Sequence, residues 1–231
     1  MRIGIICAGD REVAPFLPLI EDDHITEKAM LTFHEGAIRG VPAVCLYSGV
    51  CKVNAAIATQ ILIDTFHVDA VINAGTAGGM DERLQIFDTV ICTEAAYHDV
   101  APDLLTEFHP WLENQFFQAD PELLQLARTA ATEAAAAGHV YFGRMVTGEA
   151  FITDEGRQRI NEGYAPLSVD METAAIAHVC YVNRIPFLAI RTITDTPSHS
   201  GAAHFEENCL RASAIARDIT AALLAGLCSK V

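Results

Sequence analysis

Short apolar runs that alternate with helix-forming stretches constrain the fold of this chain more than any other feature of its sequence. Runs such as Ile3–Ala8 and Ala70–Ala74 are apolar at nearly every position, which is typical of strands buried on both faces. Amphipathic or Ala-rich stretches follow several of them, as between Lys52 and Phe66. This alternation predicts an α/β fold of three layers, in which helices flank a central mixed, mostly parallel sheet.

The predicted elements account for most of the chain. The strands are Ile3–Ala8, Leu31–His34, Ala43–Ser48, Ala70–Ala74, Thr89–Thr93, Val140–Thr147, Leu167–Val169 and Phe187–Thr194, and the helices are Lys52–Phe66, Pro121–Ala137, Asp154–Glu162, Glu172–Val182 and Phe205–Leu227. The second and third strands flank a predicted turn at Glu35-Gly36 and so form a hairpin. An early hairpin adds antiparallel pairing, which is why the sheet is predicted to be mixed.

Size and charge narrow the classes of function. A chain of 231 residues with 51% hydrophobic content can bury one core, so residues 1–231 are predicted to be a single domain. The net charge is −15, and the 15 Lys and Arg residues are scattered, which argues against binding to nucleic acid or to anionic membranes. The first apolar run is short and soon meets charged residues, and no run reaches membrane-spanning length. We therefore expect a cytoplasmic location.

Cysteine usage points away from disulfides and metal. The seven cysteines are odd in number, lie mostly in apolar runs and form no CxxC pair. Reduced thiols in the core are the expected state, and no metal site is predicted.

Polar groups follow several of the predicted buried strands, at the edge where open α/β sheets bind their ligands. Glu12 follows the first strand, and Asp195 ends an otherwise apolar one. Between them in sequence come the glycine-rich segment Asn73–Gly79 and the acidic cluster at Asp170 and Glu172. Taken singly, each has a structural explanation, such as a helix-start acid or a tight turn. A desolvated Asp195 could also serve as a general acid.

The order of these segments resembles one family, the bacterial methylthioadenosine/S-adenosylhomocysteine nucleosidases of the nucleoside phosphorylase superfamily. The resemblance runs from Arg2 to about Leu224. It rests on seven segments: Ile3–Ile6 with Glu12, Ser48–Val50 with Lys52–Ala56, Asn73–Gly79, Tyr97–Asp99, Gly148–Ile152, Met171–Ala177 and Arg191–Asp195.

The resemblance implies hydrolysis of the bond between adenine and ribose, without a cofactor. Glu12 matches the base that deprotonates water, and Asp195 matches the acid that protonates N7 of adenine. Thr76 and Arg191 match polar groups near that water. Breaking the bond places positive charge on the sugar and negative charge on the base, so carboxylates in opposite proton states suit the chemistry.

The resemblance also implies a substrate-binding set. Glu172 matches the carboxylate that holds the ribose hydroxyls, and Met171 packs on the sugar. Phe151 matches the ring that stacks on adenine, while the backbones of Ile152 and Gly78 contact the substrate. The walls of the 5′-alkylthio pocket match two apolar residues, Val50 and Phe205. Relatives in this family are homodimers, so a second copy of the chain is the expected partner.

Several positions depart from the family pattern and leave the 5′ substituent open. Gly9 stands where many members have Met, Cys51 replaces a usual glycine, and the stretch 100–117 differs most. A nucleosidase for another adenosine derivative, such as 5′-deoxyadenosine or a futalosine-type compound, therefore stays an alternative.

Two further alternatives concern the reaction itself. A purine nucleoside phosphorylase would need arginines around phosphate, but Asn73 stands where related phosphorylases carry one, and Arg11 alone is available in the first loop. A binding protein without turnover would be expected to lack Glu12 or Asp195, and both are present.

Overall fold

The computed structural model describes residues 1–108, 112–133, 138–198 and 201–228. Within these ranges the strands are β1 (Ile3–Cys7), β2 (Glu21–Lys28), β3 (Leu31–Ile38), β4 (Val41–Tyr47), β5 (Ala70–Gly79), β6 (Thr89–Tyr97), β7 (Phe117–Gln118), β8 (Val140–Thr147), β9 (Ser168–Asp170) and β10 (Phe187–Asp195). The helices are α1 (Asp10–Val13), α2 (Lys52–Phe66), α3 (Pro102–Phe108), α4 (Pro121–Glu133), α5 (Asp154–Tyr164), α6 (Thr173–Asn183) and α7 (Ala202–Cys228).

The strands form one mixed sheet in the order β10-β6-β8-β9-β5-β1-β4-β3-β2, with β7 beside β6. At its centre β1 pairs in parallel with β4 and β5, and β5 pairs in parallel with β10. Because β10 pairs with both β5 and β6, the strands β5, β10, β6, β8 and β9 close into a ring. The carboxyl ends of β1, β5 and β10 therefore meet at one edge.

Helices cover both faces of the sheet and enclose a separate apolar core on each. On one face, Leu62 of α2 and Ile176 of α6 pack with Ile6 and Val71. On the other, α4 and α7 pack against the opposite side chains of the same strands, such as Ile5 of β1. Each fully buried aliphatic side chain contributes about 1.5–3 kcal/mol. The predicted three-layer α/β architecture is confirmed.

The early hairpin exists, but its turn was predicted in the wrong place. β3 continues through Gly36, which pairs with Ala43, and the turn lies at Arg39-Gly40, where both φ angles are positive, at 55° and 75°. A Cβ on Gly36 would lie 2.3 Å from the carbonyl oxygen of Glu21 in β2. The glycine therefore permits close approach of a neighbouring strand, and it does not mark a turn.

The other differences between the predicted and observed elements are strands that extend further and elements that were not predicted. β5 runs through the glycine-rich segment to Gly79, because residues 71–78 pair with β10 and Gly78 pairs with Val169 of β9. The elements predicted from the sequence do not include β2, α1, α3 or β7. The helix predicted over 121–137 is described as far as Glu133, and residues 134–137 lie outside the described part of the chain. None of the helices described has the length and apolar character needed to cross a membrane.

Candidate active site

A cavity of about 500 Å³ opens where the carboxyl ends of β1, β5 and β10 meet. Every residue predicted to belong to the site lines it, although the residues come from distant parts of the sequence. These are Glu12, Val50, Thr76, Gly78, Phe151, Ile152, Met171, Glu172, Arg191, Asp195 and Phe205. The structure thus brings the predicted set together, while the role of each residue stays a prediction.

Glu12 is buried at the floor of the cavity, with 3% of its surface exposed. Its Oε2 accepts hydrogen bonds from the backbone N–H groups of Ala8 and Gly9, at 2.6 and 3.2 Å. Its Oε1 accepts two more from Thr76, from the backbone N–H at 2.6 Å and from the hydroxyl at 2.7 Å. Four donors from two neighbouring strand ends therefore fix the orientation of this carboxylate.

Gly75 makes that position of Glu12 possible. A Cβ on Gly75 would lie 2.5 Å from Oε1 of Glu12, closer than real Cβ atoms approach an oxygen. Any side chain at residue 75 would therefore displace the carboxylate. The glycine-rich segment thus provides space for an acidic side chain, whereas the sequence suggested a tight turn.

Arg191 is the buried cation of the site. It donates from Nη1 to Oδ1 of Asn73 and from Nη2 to Oε2 of Glu172, both at 3.0 Å. Its Nε lies 3.3 Å from Oδ2 of Asp170. Burial lowers the pKa of Arg191, but the carboxylates of Glu12, Asp170 and Glu172 outweigh that effect and raise it. The guanidinium therefore stays charged and compensates the acidic groups around it.

Glu172 lies at the N-cap of α6 and is 2% exposed. Its Oε1 accepts a hydrogen bond from the backbone N–H of Cys51 at 3.0 Å, while Oε2 receives Arg191. Burial raises the pKa of Glu172 to about 7, and Asp170 and Glu12 act in the same direction, opposed by Arg191. Its charge therefore changes near neutral pH.

Asp195 ends β10 with 1% of its surface exposed. Thr194 donates its hydroxyl to Oδ1 at 2.9 Å, and a Cβ on Gly78 would lie 3.1 Å from Oδ2. Burial raises the pKa of Asp195, although the Thr194 hydrogen bond and the charge of Arg157 oppose the shift. A carboxyl group with a raised pKa can hold a proton and then give it to a bound ligand.

Apolar and aromatic side chains form the rest of the cavity wall. The rings of Phe151 and Phe205 meet edge to face, with centroids 6.3 Å apart. Phe151 and Val50 are 42% and 48% exposed, so both retain surface that a ligand can cover. The cavity can therefore hold a flat ring system beside its buried carboxylates.

Three residues outside the predicted set shape the site. Asp170 accepts a hydrogen bond from the Thr147 hydroxyl at 2.6 Å and others from the first N–H groups of α6, so it anchors the segment that carries Glu172. Arg157 of α5 donates to the carbonyl of Gly79 near Asp195. Cys209 of α7 lines the cavity. An acid three residues before Thr173 is a recognisable helix-start signal, whereas the sequence gives no local indication of the other two.

The fold and the cavity together define an α/β enzyme of the nucleoside phosphorylase type. The family model described as the phosphorylase superfamily matches residues 2–225, so the chain belongs to the phosphorylase superfamily. Among the residues described, no group of three or more His, Cys, Asp or Glu side chains is arranged to hold a metal ion.

Solved structures from several bacteria are similar over nearly the whole chain. The 5′-methylthioadenosine/S-adenosylhomocysteine nucleosidase of Colwellia psychrerythraea, solved with adenine, is 34% identical, with a TM-score of 0.89 over 97% of this chain and 94% of that one. The Neisseria meningitidis nucleosidase of the same name, solved with methylthio-immucillin-A, is 31% identical, with a TM-score of 0.89 over 97% and 99%. Futalosine hydrolase of Helicobacter pylori is 24% identical, with a TM-score of 0.86 over 97% of each chain, and this likeness concerns the fold alone.

Proposed function

We propose that this protein, acting as one domain, hydrolyses the N-glycosidic bond of 5′-methylthioadenosine and S-adenosylhomocysteine and releases adenine. The observation that carries the proposal is the pairing of two buried carboxyl groups, Glu12 and Asp195, in one cavity but in different surroundings. Among the residues that the structure describes, Glu12 accepts four hydrogen bonds, whereas Asp195 accepts one from Thr194 and has a raised pKa. Such a difference in environment lets one group act as base and the other as acid.

Asp195 supplies the acid of the reaction. Its raised pKa makes the protonated form more abundant at a given pH than it is for an ordinary aspartate. As the bond from C1′ to N9 breaks, its electron pair moves into the adenine ring, and Asp195 transfers its proton to N7. The ring of Phe151 stacks on the base, and the backbones of Ile152 and Gly78 contact it. General acid catalysis of this kind contributes about 10²–10⁴ in rate.

Glu12 supplies the base. The attacking water forms the new bond from its oxygen to C1′ and gives a proton to Glu12. Thr76 and Arg191 position the water, since Thr76 contacts Glu12 directly and Arg191 also lines the cavity. The negative charge of Glu12 also favours the positive charge that develops on the sugar.

Glu172 binds the ribose. A carboxylate is an acceptor only, so it suits two sugar hydroxyl donors. Its contacts with Arg191 and the Cys51 N–H hold it in position for this role. Met171 packs on the sugar, and Val50 and Phe205 form the wall that receives the 5′-alkylthio group.

Phosphorolysis is the main alternative, and the arginines of the cavity argue against it. Arg191 is buried and already binds the carboxylate of Glu172, whereas Arg11 pairs with Glu206 at an exposed position. Asn73, at the position where related phosphorylases carry an arginine, donates to Thr173 at 2.7 Å and accepts from Arg191. A phosphate dianion in the buried part of the cavity would have to compete with Glu172 for Arg191.

We also propose a homodimer. Val53 and Ile57 are one helical turn apart on α2 and are 68% and 46% exposed, and Leu104 and Phe108 of α3 are exposed as well. Apolar side chains at this spacing form a stripe that a second copy of the chain can cover.

The substrate proposal is tested by measuring adenine release from a panel of nucleosides by chromatography. Methylthioadenosine and S-adenosylhomocysteine are expected to be cleaved with a higher kcat/KM than 5′-deoxyadenosine or a futalosine-type compound. Asp195→Asn serves as the control for contaminating activity. Preferential cleavage of either of the last two compounds would contradict the proposed substrate.

A further inference from the structure

Charged residues stand at the mouth of the cavity, beyond the groups assigned to adenine and ribose. Arg11 of α1 donates to the carboxylate of Glu206 in α7, and its backbone N–H donates to Oδ1 of Asp10 at 2.8 Å. These three residues, the mouth cluster, all line the cavity. The side chains of Arg11 and Glu206 are 53% and 58% exposed, so the cluster lies where the cavity opens to solvent.

The mouth cluster lies next to the part of the site assigned to the 5′ substituent. Glu206 directly follows Phe205, and Asp10 directly follows Gly9. A Cβ on Gly9 would meet no atom within 4 Å, so this residue leaves open space beside the cluster. A substituent longer than a methyl group can therefore reach the charged groups.

The charges of the cluster select for one kind of substituent. One guanidinium and two carboxylates give a net charge of −1, with both signs present. A group that carries an ammonium and a carboxylate can pair with both signs at once, whereas a carboxylate alone meets two like charges. An uncharged methyl group forms no favourable charge interaction with the guanidinium or with the carboxylates. The guanidinium of Arg11 is able to exchange partners at small cost because an exposed ion pair contributes little.

From this arrangement we infer that the mouth cluster binds a 5′-thioether substituent ending in an α-amino acid, with Arg11 on its carboxylate and Glu206 and Asp10 on its ammonium. The cluster thereby favours S-adenosylhomocysteine over methylthioadenosine. This inference rests on the proposed function, and it adds specificity-determining residues to the same site.

The test compares kcat/KM for adenine release from four thioethers. They are S-adenosylhomocysteine, methylthioadenosine, the 5′-(3-carboxypropyl)thio analogue, which lacks the ammonium, and the 5′-(3-aminopropyl)thio analogue, which lacks the carboxylate. Each value is divided by that for methylthioadenosine measured with the same variant, so that changes in the common chemical step cancel. The variants are Glu206→Gln and Arg11→Gln, and Arg83→Gln is the matched control, since Arg83 forms an exposed ion pair with Asp81.

Both mouth variants are expected to lower the ratio for S-adenosylhomocysteine, each by about three- to tenfold. They should act in opposite directions on the two truncated analogues. Arg11→Gln lowers the ratio for the carboxypropyl analogue, and Glu206→Gln raises it while lowering that for the aminopropyl analogue. The Arg83→Gln control should keep the wild-type ratios.

Two negative results have different meanings. Unchanged ratios in both mouth variants, with wild-type protein cleaving all four compounds, would overturn this inference and leave the ion pair as a structural link between α1 and α7. Failure of the wild-type protein to release adenine from any of the four would overturn the proposed function itself.

Discussion

The carboxylate of Glu12 and residue Thr76 are joined by two hydrogen bonds to a single oxygen, one from the backbone N–H at 2.6 Å and one from the hydroxyl at 2.7 Å. Because Glu12 follows β1 and Thr76 lies in β5, this contact ties the ends of two neighbouring parallel strands. The same oxygen would lie 2.5 Å from a Cβ on Gly75. The position of the proposed base is thus set by the two donors of Thr76 and by the absence of a Cβ on Gly75.

Replacing Glu12 by Gln is expected to reduce kcat by about 10²–10⁴, because the amide cannot accept a proton from water. The variant should still bind a non-hydrolysable adenosine analogue, since the other binding groups are unchanged. Adenine release and isothermal titration calorimetry measure the two effects separately. Loss of analogue binding in a folded variant would mean that Glu12 is a binding or structural group.

Gly75→Ala tests the positioning of Glu12 while Glu12 itself is not mutated. The added methyl group displaces Oε1, so kcat should fall by about tenfold or more. The matched control is Gly163→Ala in α5, where a Cβ meets nothing within 4 Å and alanine suits the helix. Wild-type kcat in a folded Gly75→Ala protein would show that the exact position of Glu12 is unimportant.

Asp195→Asn should nearly abolish turnover, because an amide cannot protonate N7. It should also change how stability depends on pH. Burial raises the pKa of Asp195 above its value in the unfolded chain, so the stability linked to its bound proton is complete below about pH 4 and is lost as pH rises through the folded-state pKa. Asparagine does not ionise, and thus the variant should be the more stable protein at pH 8.

Urea unfolding of wild-type and Asp195→Asn protein at several pH values measures this difference. The gap between the two proteins should narrow as the pH falls toward 4. A gap that is constant with pH would show that Asp195 ionises with an ordinary pKa. Full activity of the variant would exclude Asp195 as the acid.

The pKa of Glu172, raised to about 7, predicts a pH dependence of substrate capture. Protonation removes acceptor capacity for the ribose hydroxyls, so kcat/KM should fall as the pH drops through about 7. The Glu172→Gln variant should have a lower kcat/KM at pH 8 and should lack this acidic limb. A profile of kcat/KM from pH 5 to 9 for both proteins tests whether Glu172 causes the acidic limb. An identical acidic limb in the variant would show that another group causes the limb.

The proposed dimer predicts that charge on the α2 stripe lowers the oligomeric state. The double variant Val53→Asp and Ile57→Asp should elute as a monomer while remaining folded, because two carboxylates cannot be buried unpaired in an interface. Ile25→Asp in β2 is the control, since Ile25 is a similarly exposed apolar residue, at 54%. Light scattering after size-exclusion chromatography gives the masses, and a monomeric wild-type protein would contradict the proposal.

The local sequence pattern was sufficient to predict the elements that have strong periodicity or continuous apolar runs. β8 was predicted with its observed bounds, and α2 likewise, because each is a single unbroken pattern. β2 was missed because it is an edge strand with mostly exposed and charged residues, Glu21–Lys28, and therefore lacks an apolar pattern. β5 was cut short at Ala74 because its extension to Gly79 depends on pairing with strands far along the chain.

In the site, too, local sequence features could be predicted, whereas contacts between distant residues could not. The predicted residues could be collected because the family resemblance orders them, and strand ends indicated where to look. The contacts that set their chemistry could not be predicted. Arg11 and Glu206 are 195 positions apart, and Arg191 meets Asn73 over 118 positions. Such pairs depend on the completed sheet, since no local pattern in the sequence connects them.

Product analysis distinguishes attack by water on the nucleoside from attack by phosphate. Wild-type protein is incubated with methylthioadenosine in phosphate-free buffer and again with added phosphate, and the sugar products are identified by mass spectrometry. Adenine and free methylthioribose, formed at the same rate in both buffers, are the predicted result. Turnover that requires phosphate and yields methylthioribose 1-phosphate would overturn the proposed hydrolysis and make the protein a phosphorylase.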